Sequence, residues 1–224
     1  MPFRFNLSKA IQAAGVLVKT TAHERMSRLR LLKLLYIADR ESLALTGRPI
    51  TGDCVVAMRH GPVLSRVYDC IKGADPAQAE WDRYFKSEQL DLVLREPTPV
   101  DDLCRQEIGI LQRVAQDRAD KNDWEVAEET HGFPEWKNPG ETSLPIPFER
   151  ILAAVGKPRS VLKEAEEHSA IDKLFESYRR ANASKTRSRV FRGAKRGARF
   201  LGPSPRPALC PRSGSKRAQK NKMR

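Results

Sequence analysis

The chain lacks the hydrophobic run that a membrane span requires: no stretch approaches the roughly 18 consecutive apolar residues needed to cross a bilayer. The one candidate for a secretory leader, Ile11 to Val18 behind Arg4 and Lys9, is short, contains Gln12 and is followed by charge rather than a cleavage-like site. It reads instead as an amphipathic first helix, and the expected compartment is the cytoplasm with no membrane partner. Cysteines are few and scattered. Cys54, Cys70, Cys104 and Cys210 form no CxxC pair and no metal-ligand spacing, so they read as reduced, mostly buried thiols. The four histidines, His23, His60, His131 and His168, form no HExxH or HxxxH arrangement, and neither a metal nor a cofactor is expected. Acidic residues are missing from one end. From Lys185 onward there are 14 Lys and Arg and no Asp or Glu, which leaves 27 basic against 28 acidic residues in Met1 to Ser184. The last forty residues therefore carry +14 and the rest −1, which together make the net charge of +13.

What is present is concentrated in Leu31 to Asp69, which reads as helix, turn, strand, turn, helix. Leu31, Leu34, Leu35 and Ala38 follow the i, i+3, i+4, i+7 spacing of one helical face, and Leu32, Tyr36 and Leu43 add a second apolar stripe beside it. A helix apolar on two sides is a central helix. Thr46-Gly47-Arg48-Pro49 should stop it, because Gly47 can take the left-handed conformation and Pro49 cannot continue the ladder. Asp39 and Arg40 stand within this apolar helix, and a buried Asp39 would need a partner. Cys54 to Met58 is expected to be a short buried strand. Arg59-His60-Gly61-Pro62 then breaks it, with Pro62 suited to the first position of a helix running to about Lys72.

Elsewhere, Asn6 or Ser8 can cap the first helix, whose apolar face is Leu7, Ile11, Ala14, Leu17 and Val18. Asp75-Pro76 opens a short helix through Trp81 to Tyr84. Leu90 to Leu94 is expected to be a second strand, pairing with Cys54 to Met58 in one small sheet. Val100 to about Ala119 is a long amphipathic helix, Asp123 caps a shorter one closing at His131-Gly132, and Phe148 to Val155 is another, stopped by Gly156. Trp136 suits an anchor holding its loop to the domain rather than an exposed reader. A last helix runs from about Arg159 to Arg180, with Ile171, Leu174, Phe175 and Tyr178 either packed on the domain or forming a partner-binding stripe. Beyond it the basic tail has too few large apolar residues to fold alone and is expected to be disordered.

Three ordered segments, KLLYIADRESLALTGRPITGD, AMRHGPVLSRVYD and THGFPEW, resemble the Panacea domain, the family of SocA-like antitoxins and phage-associated proteins, over roughly Leu7 to Val155. The chain departs from the family pattern in having Arg59-His60 before the Gly-Pro and Glu135 inserted between Pro134 and Trp136. The resemblance implies a mainly α fold with a small β element (α+β), and no catalytic residues. Its motif residues here are Leu34, Tyr36, Asp39, Gly47, Pro49, Tyr68, Thr130, His131 and Trp136. The chain then divides into a Panacea-like domain over 1–156, a C-terminal helix over 157–183 and the basic tail over 184–224.

The function implied by the resemblance is that of a prokaryotic or phage antitoxin. It would neutralise a cognate protein toxin, encoded by an adjacent gene, by direct binding, with blocking and delivery to a protease both open. The alternative is a nucleic-acid-binding accessory protein acting through the basic tail by phosphate neutralisation. An enzyme is disfavoured. Cys54, His60 and Asp39 supply residue types for nucleophilic catalysis, but no motif fixes them at working distance. The candidate partner site is Arg59, His60, Gly61 and Pro62, where a tight turn onto a helix N-terminus would leave free backbone N–H groups beside two basic side chains. The competing reading is a structural turn in which His60 caps a neighbouring backbone group.

Overall fold

The computed structural model describes residues 3–167 together with Ala170 and Ile171, all within a compact unit spanning Met1–Leu174. The expectations placed on Leu174, Phe175, Tyr178 and the basic tail lie outside the described residues.

Helix α2 (Arg28–Thr46) is the axis of the fold. Ser27 caps its start by accepting from the Arg30 N–H, and Gly47 ends it at φ 75°. Every residue from Leu31 to Asp39 is buried, so the two apolar stripes are both covered. The covering elements are α1 (Leu7–Val18), α5 (Arg105–Gln116), α6 (Asp123–His131), part of α7 (Phe148–Ala154), and the edge strand β3 (Gly61–Leu64). Helix α1 is capped by Asn6, whose carboxamide accepts from the Lys9 N–H. The described part of the last helix, residues 160–167, buries Leu162 and Ala165.

The strands form two sheets rather than the single sheet expected. In one, β5 (Asp91–Leu94) lies between β1 (Arg25–Ser27) and β4 (Phe85–Glu88); in the other, β2 (Val55–Met58) lies between β3 and β6 (Leu144–Ile146). All pairings are antiparallel. The segments expected to pair with each other instead pair locally, each closing a two-residue hairpin with its chain neighbour, because such loops close at the lowest entropic cost.

The helix expected from Pro62 begins only at Ser65, as α3 (Ser65–Lys72). Gly61 to Leu64 instead form β3, an edge strand, the one place in a sheet where proline's missing N–H is tolerated. Helix α4 (Gln78–Tyr84) likewise starts two residues past Pro76, with Asp75 accepting from the Ala77 N–H and pairing with Arg66. Helix α5 starts at Arg105 rather than Val100, since the preceding segment is bound to α1: the Gln12 carboxamide donates to Asp101 and accepts from the Asp102 N–H. Among the thiols, Cys70 is buried and Cys54 half-buried, but Cys104 is exposed, contrary to expectation, and Cys210 is not described.

Candidate functional site

The hairpin turn Arg59–His60, itself in the second of the three sequence motifs, is held from behind by residues of the first and third. Gly61 sits at φ 96°, and a Cβ there would lie 2.3 Å from Thr130 Oγ1 and 2.9 Å from Lys33 Nζ. Only glycine fits this place. The carbonyls on either side of the turn are both engaged by distant side chains: Lys33 Nζ donates to Pro62 O at 3.0 Å, and Trp136 Nε1 donates to Met58 O at 3.1 Å. Trp136 stacks on His131, ring centroids 4.3 Å apart, and His131 Nδ1 lies 2.9 Å from the Glu128 carboxylate. Thr130 itself is fixed by donating to Ala127 O. Lys33 comes from the middle of α2 and is 1% exposed. Burial pushes its ammonium pKa down to about 7.

A second polar layer lies beside the first. Glu135 is fully buried and accepts from Tyr36 Oη and from Arg40 Nε, each at 2.6 Å. Arg40 lies over the Phe133 ring, 4.3 Å from its centroid. The inserted residue of the PEW step is thus the anchor of the 133–136 loop. Asp39 accepts from the N–H groups of Ile50 and Thr51, at 3.0 Å each, and from the Thr51 hydroxyl, which fastens the loop after Gly47 and Pro49 to α2. Burial raises the Asp39 pKa to about 7. Asp53, buried in the same loop, accepts from the N–H groups of Cys54, Arg66 and Val67, and burial raises its pKa to about 6.

The front of the turn is open. Arg59 pairs at 2.8 Å with Glu141, both side chains exposed, a contact that water and salt screen. His60 meets the ring of Trp124 edge-on at 5.3 Å, and Trp124, on α6, is 63% exposed. The free helix N-terminus anticipated at Pro62 is not here: α3 starts later, and Asp53 already takes its Arg66 and Val67 amides. His60 packs on an aromatic ring, and among the described residues its ring caps no backbone group. Asp39 is buried against the 50–51 loop while His60 is exposed, so these two members of the supposed catalytic trio share no site. Among the described residues no group of His, Cys, Asp and Glu is placed to hold a metal, and no helix is long and apolar enough to cross a membrane.

The elements that cradle the turn begin in α2 and end at Trp136. Residues 31–137 match the family model of the antitoxin SocA-like Panacea domain. The Panacea match opens at the first buried leucine of α2 and closes one residue beyond Trp136, so it encloses the whole cradle. No curated protein and no solved structure matches the chain. Of the Panacea motif residues, Tyr36, Thr130, His131 and Trp136 gather at or beside the turn. Leu34 is core, Asp39, Gly47 and Pro49 shape the 47–53 loop, and Tyr68 is half-buried on α3 with the Lys72 ammonium 4.9 Å from its ring centroid. Three contributors, Lys33, Asp53 and Trp124, were not singled out from sequence, and Glu135 was noted only as an insertion. A signal existed for two of these four. Lys33 is a lone charge inside Leu-Leu-Lys-Leu-Leu of a helix covered on both sides, and Glu135 interrupts an otherwise aromatic and proline segment.

Proposed function

We propose that the chain is the antitoxin of a toxin–antitoxin pair and neutralises its toxin by direct, non-catalytic binding, with Arg59, His60 and Trp124 as the ledge on which the partner lies. The observation that carries this reading is the contrast across the turn. Its back is tied by Lys33 and Trp136 to both flanking carbonyls, within the segment that matches the antitoxin family, while its front exposes an arginine, a histidine and a tryptophan. A pre-formed turn loses little entropy on binding, and Trp and Arg are the side chains that most often dominate binding energy at interfaces. Delivery of the toxin to a protease fits the same contact and differs only in the fate of the bound partner.

Co-expression with the protein encoded by the adjacent gene tests the role. Growth arrest by that protein should be relieved by the full chain, and no relief would sink the antitoxin reading. The Arg59→Ala, His60→Ala double variant should melt like the parent yet fail to restore growth; restoration at parental level would remove the ledge. Toxin half-life, measured with and without the chain, separates blocking from delivery. A second reading, weak nucleic-acid binding, is favoured only by the acid-free run of 14 basic residues from Lys185. Such binding should vanish on removal of residues 185–224 and fall steeply with salt.

A further inference from the structure

Helix α6 carries four carboxylates, Asp123, Glu125, Glu128 and Glu129, and no Lys or Arg. Two of them are neutralised from elsewhere in the fold: Arg30 lies 3.4 Å from Asp123, and Arg118 and Lys121 both pair with Glu129. A third, Glu125, closes the start of the helix by accepting from the Asn122 N–H at 2.6 Å. Glu128 is left facing water. Its side chain is 78% exposed, and its one partner among the described residues is the His131 imidazole, with no Lys or Arg in ion-pair reach.

Trp124 stands four residues before Glu128 and His131 three after it, so the three lie along one face of α6, while Val126 and Thr130 bury the opposite face. At one end of this stripe the His60 ring meets Trp124, and at the other Trp136 stacks on His131. A carboxylate without a basic partner thus sits between two aromatic groups on an open surface. Among the described residues Trp124 is the one exposed aromatic, and no Lys or Arg lies over its ring, although Phe5, Tyr68, Tyr84 and Phe133 each carry one. Arg59, the cation of the ledge, is turned to Glu141 instead. Indole is the best aromatic seat for a cation, and a carboxylate one helical turn away adds the opposite charge.

Resting on the antitoxin reading, we propose that the toxin presents a basic segment to this face of α6, with one arginine whose guanidinium lies over the Trp124 indole and pairs with the Glu128 carboxylate. The planar guanidinium can stack on a ring and donate to a carboxylate in the same pose, which a lysine ammonium cannot match. Trp and Arg also tend to meet each other as the dominant residues of an interface. The unneutralised Glu128 makes the ledge selective as well as adhesive, because an acidic segment placed there meets like charge.

The probe is the protein encoded by the adjacent gene, titrated calorimetrically with the full-length chain while growth rescue is followed in parallel. Glu128→Gln removes the charge but keeps an oxygen for His131 Nδ1, and should weaken binding about tenfold and flatten its dependence on salt. Glu128→Arg should weaken it further and abolish rescue, as should Trp124→Ala. Both side chains are exposed, so these variants should melt like the parent. Should Trp124→Ala unfold, the two Glu128 variants decide. Parental affinity in Glu128→Gln, or tighter binding by Glu128→Arg, which would mark an acidic partner, overturns the proposal and leaves the antitoxin role standing. Failure of the parent chain to bind the adjacent-gene protein and to relieve its growth arrest overturns the antitoxin reading, and this inference with it.

Discussion

Tyr36 Oη lies 2.6 Å from Glu135 Oε1 although 99 residues separate them, and Arg40, one helical turn on from Tyr36, donates to the same oxygen. The carboxylate has no exposed surface. Glu135→Ala should leave Arg40 and Tyr36 without their acceptor and free the 133–136 loop, at a cost of about 3 kcal/mol, the usual order for removing one partner of a buried pair. Chemical denaturation measures it. A loss within about 0.5 kcal/mol would mean that the loop is held by Trp136 alone.

Asp39 gives a test that separates charge from hydrogen bonding. Asn at this position keeps an oxygen for the Ile50 and Thr51 amides and can donate to the Thr51 hydroxyl, whereas Ala leaves all three donors unmet. Asp39→Asn should therefore cost about 1 kcal/mol and Asp39→Ala about 3 kcal/mol or more, by unfolding in urea. Equal losses would show that the ionised form, not the acceptor, stabilises the loop.

Stability should pass through a minimum near pH 7. Asp39 and Asp53 have folded pKa values raised to about 7 and about 6 from 3.8, so the native state binds more protons than the unfolded one between pH 4 and 7, and stability falls as pH rises through that window. Lys33 is depressed from 10.5 to about 7, so above pH 7 the unfolded state binds more protons and stability climbs toward pH 10. Unfolding free energies at pH 5, 7 and 9 should be lowest at 7. Lys33→Met should flatten the upper arm and Asp39→Asn shrink the lower one; unchanged arms in these variants would assign the profile to other groups.

Two glycines should respond in opposite directions to alanine. Gly61→Ala forces a Cβ against Thr130 and Lys33 at a left-handed position, and should lower the melting temperature sharply and disorder the hairpin. Gly109 lies within α5 with open space where a Cβ would go, so Gly109→Ala should stabilise by about 0.5–1 kcal/mol. Destabilisation of the latter would reveal a covering partner on α5.

The central helix, its Gly47 stop and the Asn6 cap were legible because each rests on a local rule: periodicity, a left-handed C-cap and a side chain accepting the N–H three residues on. Strand pairing was not, since β2 and β5 carry no local mark of which neighbour they choose. Pro62 misled for a related reason. Proline starts helices and also ends up on edge strands, and only the tertiary position of β3 decides between them. At the site, the turn itself was visible as Gly61-Pro62, but its supports were not. Lys33, buried on α2, and Glu135 on a loop look like solvated charges in sequence, and their burial depends on partners 29 and 99 residues away.

The span of those supports bears on how the protein comes into being. A chain leaving the ribosome delivers α2 and the Arg59–His60 hairpin well before Thr130, His131 and Trp136 appear. Until then the Met58 carbonyl lacks its indole and the Gly61 backbone lacks its backing. The hairpin therefore gains its full backing only once the 130–136 segment closes over it. On the proposed reading, a partner that recognises the ledge recognises only molecules whose synthesis has passed that segment, so fragments released early cannot compete for it.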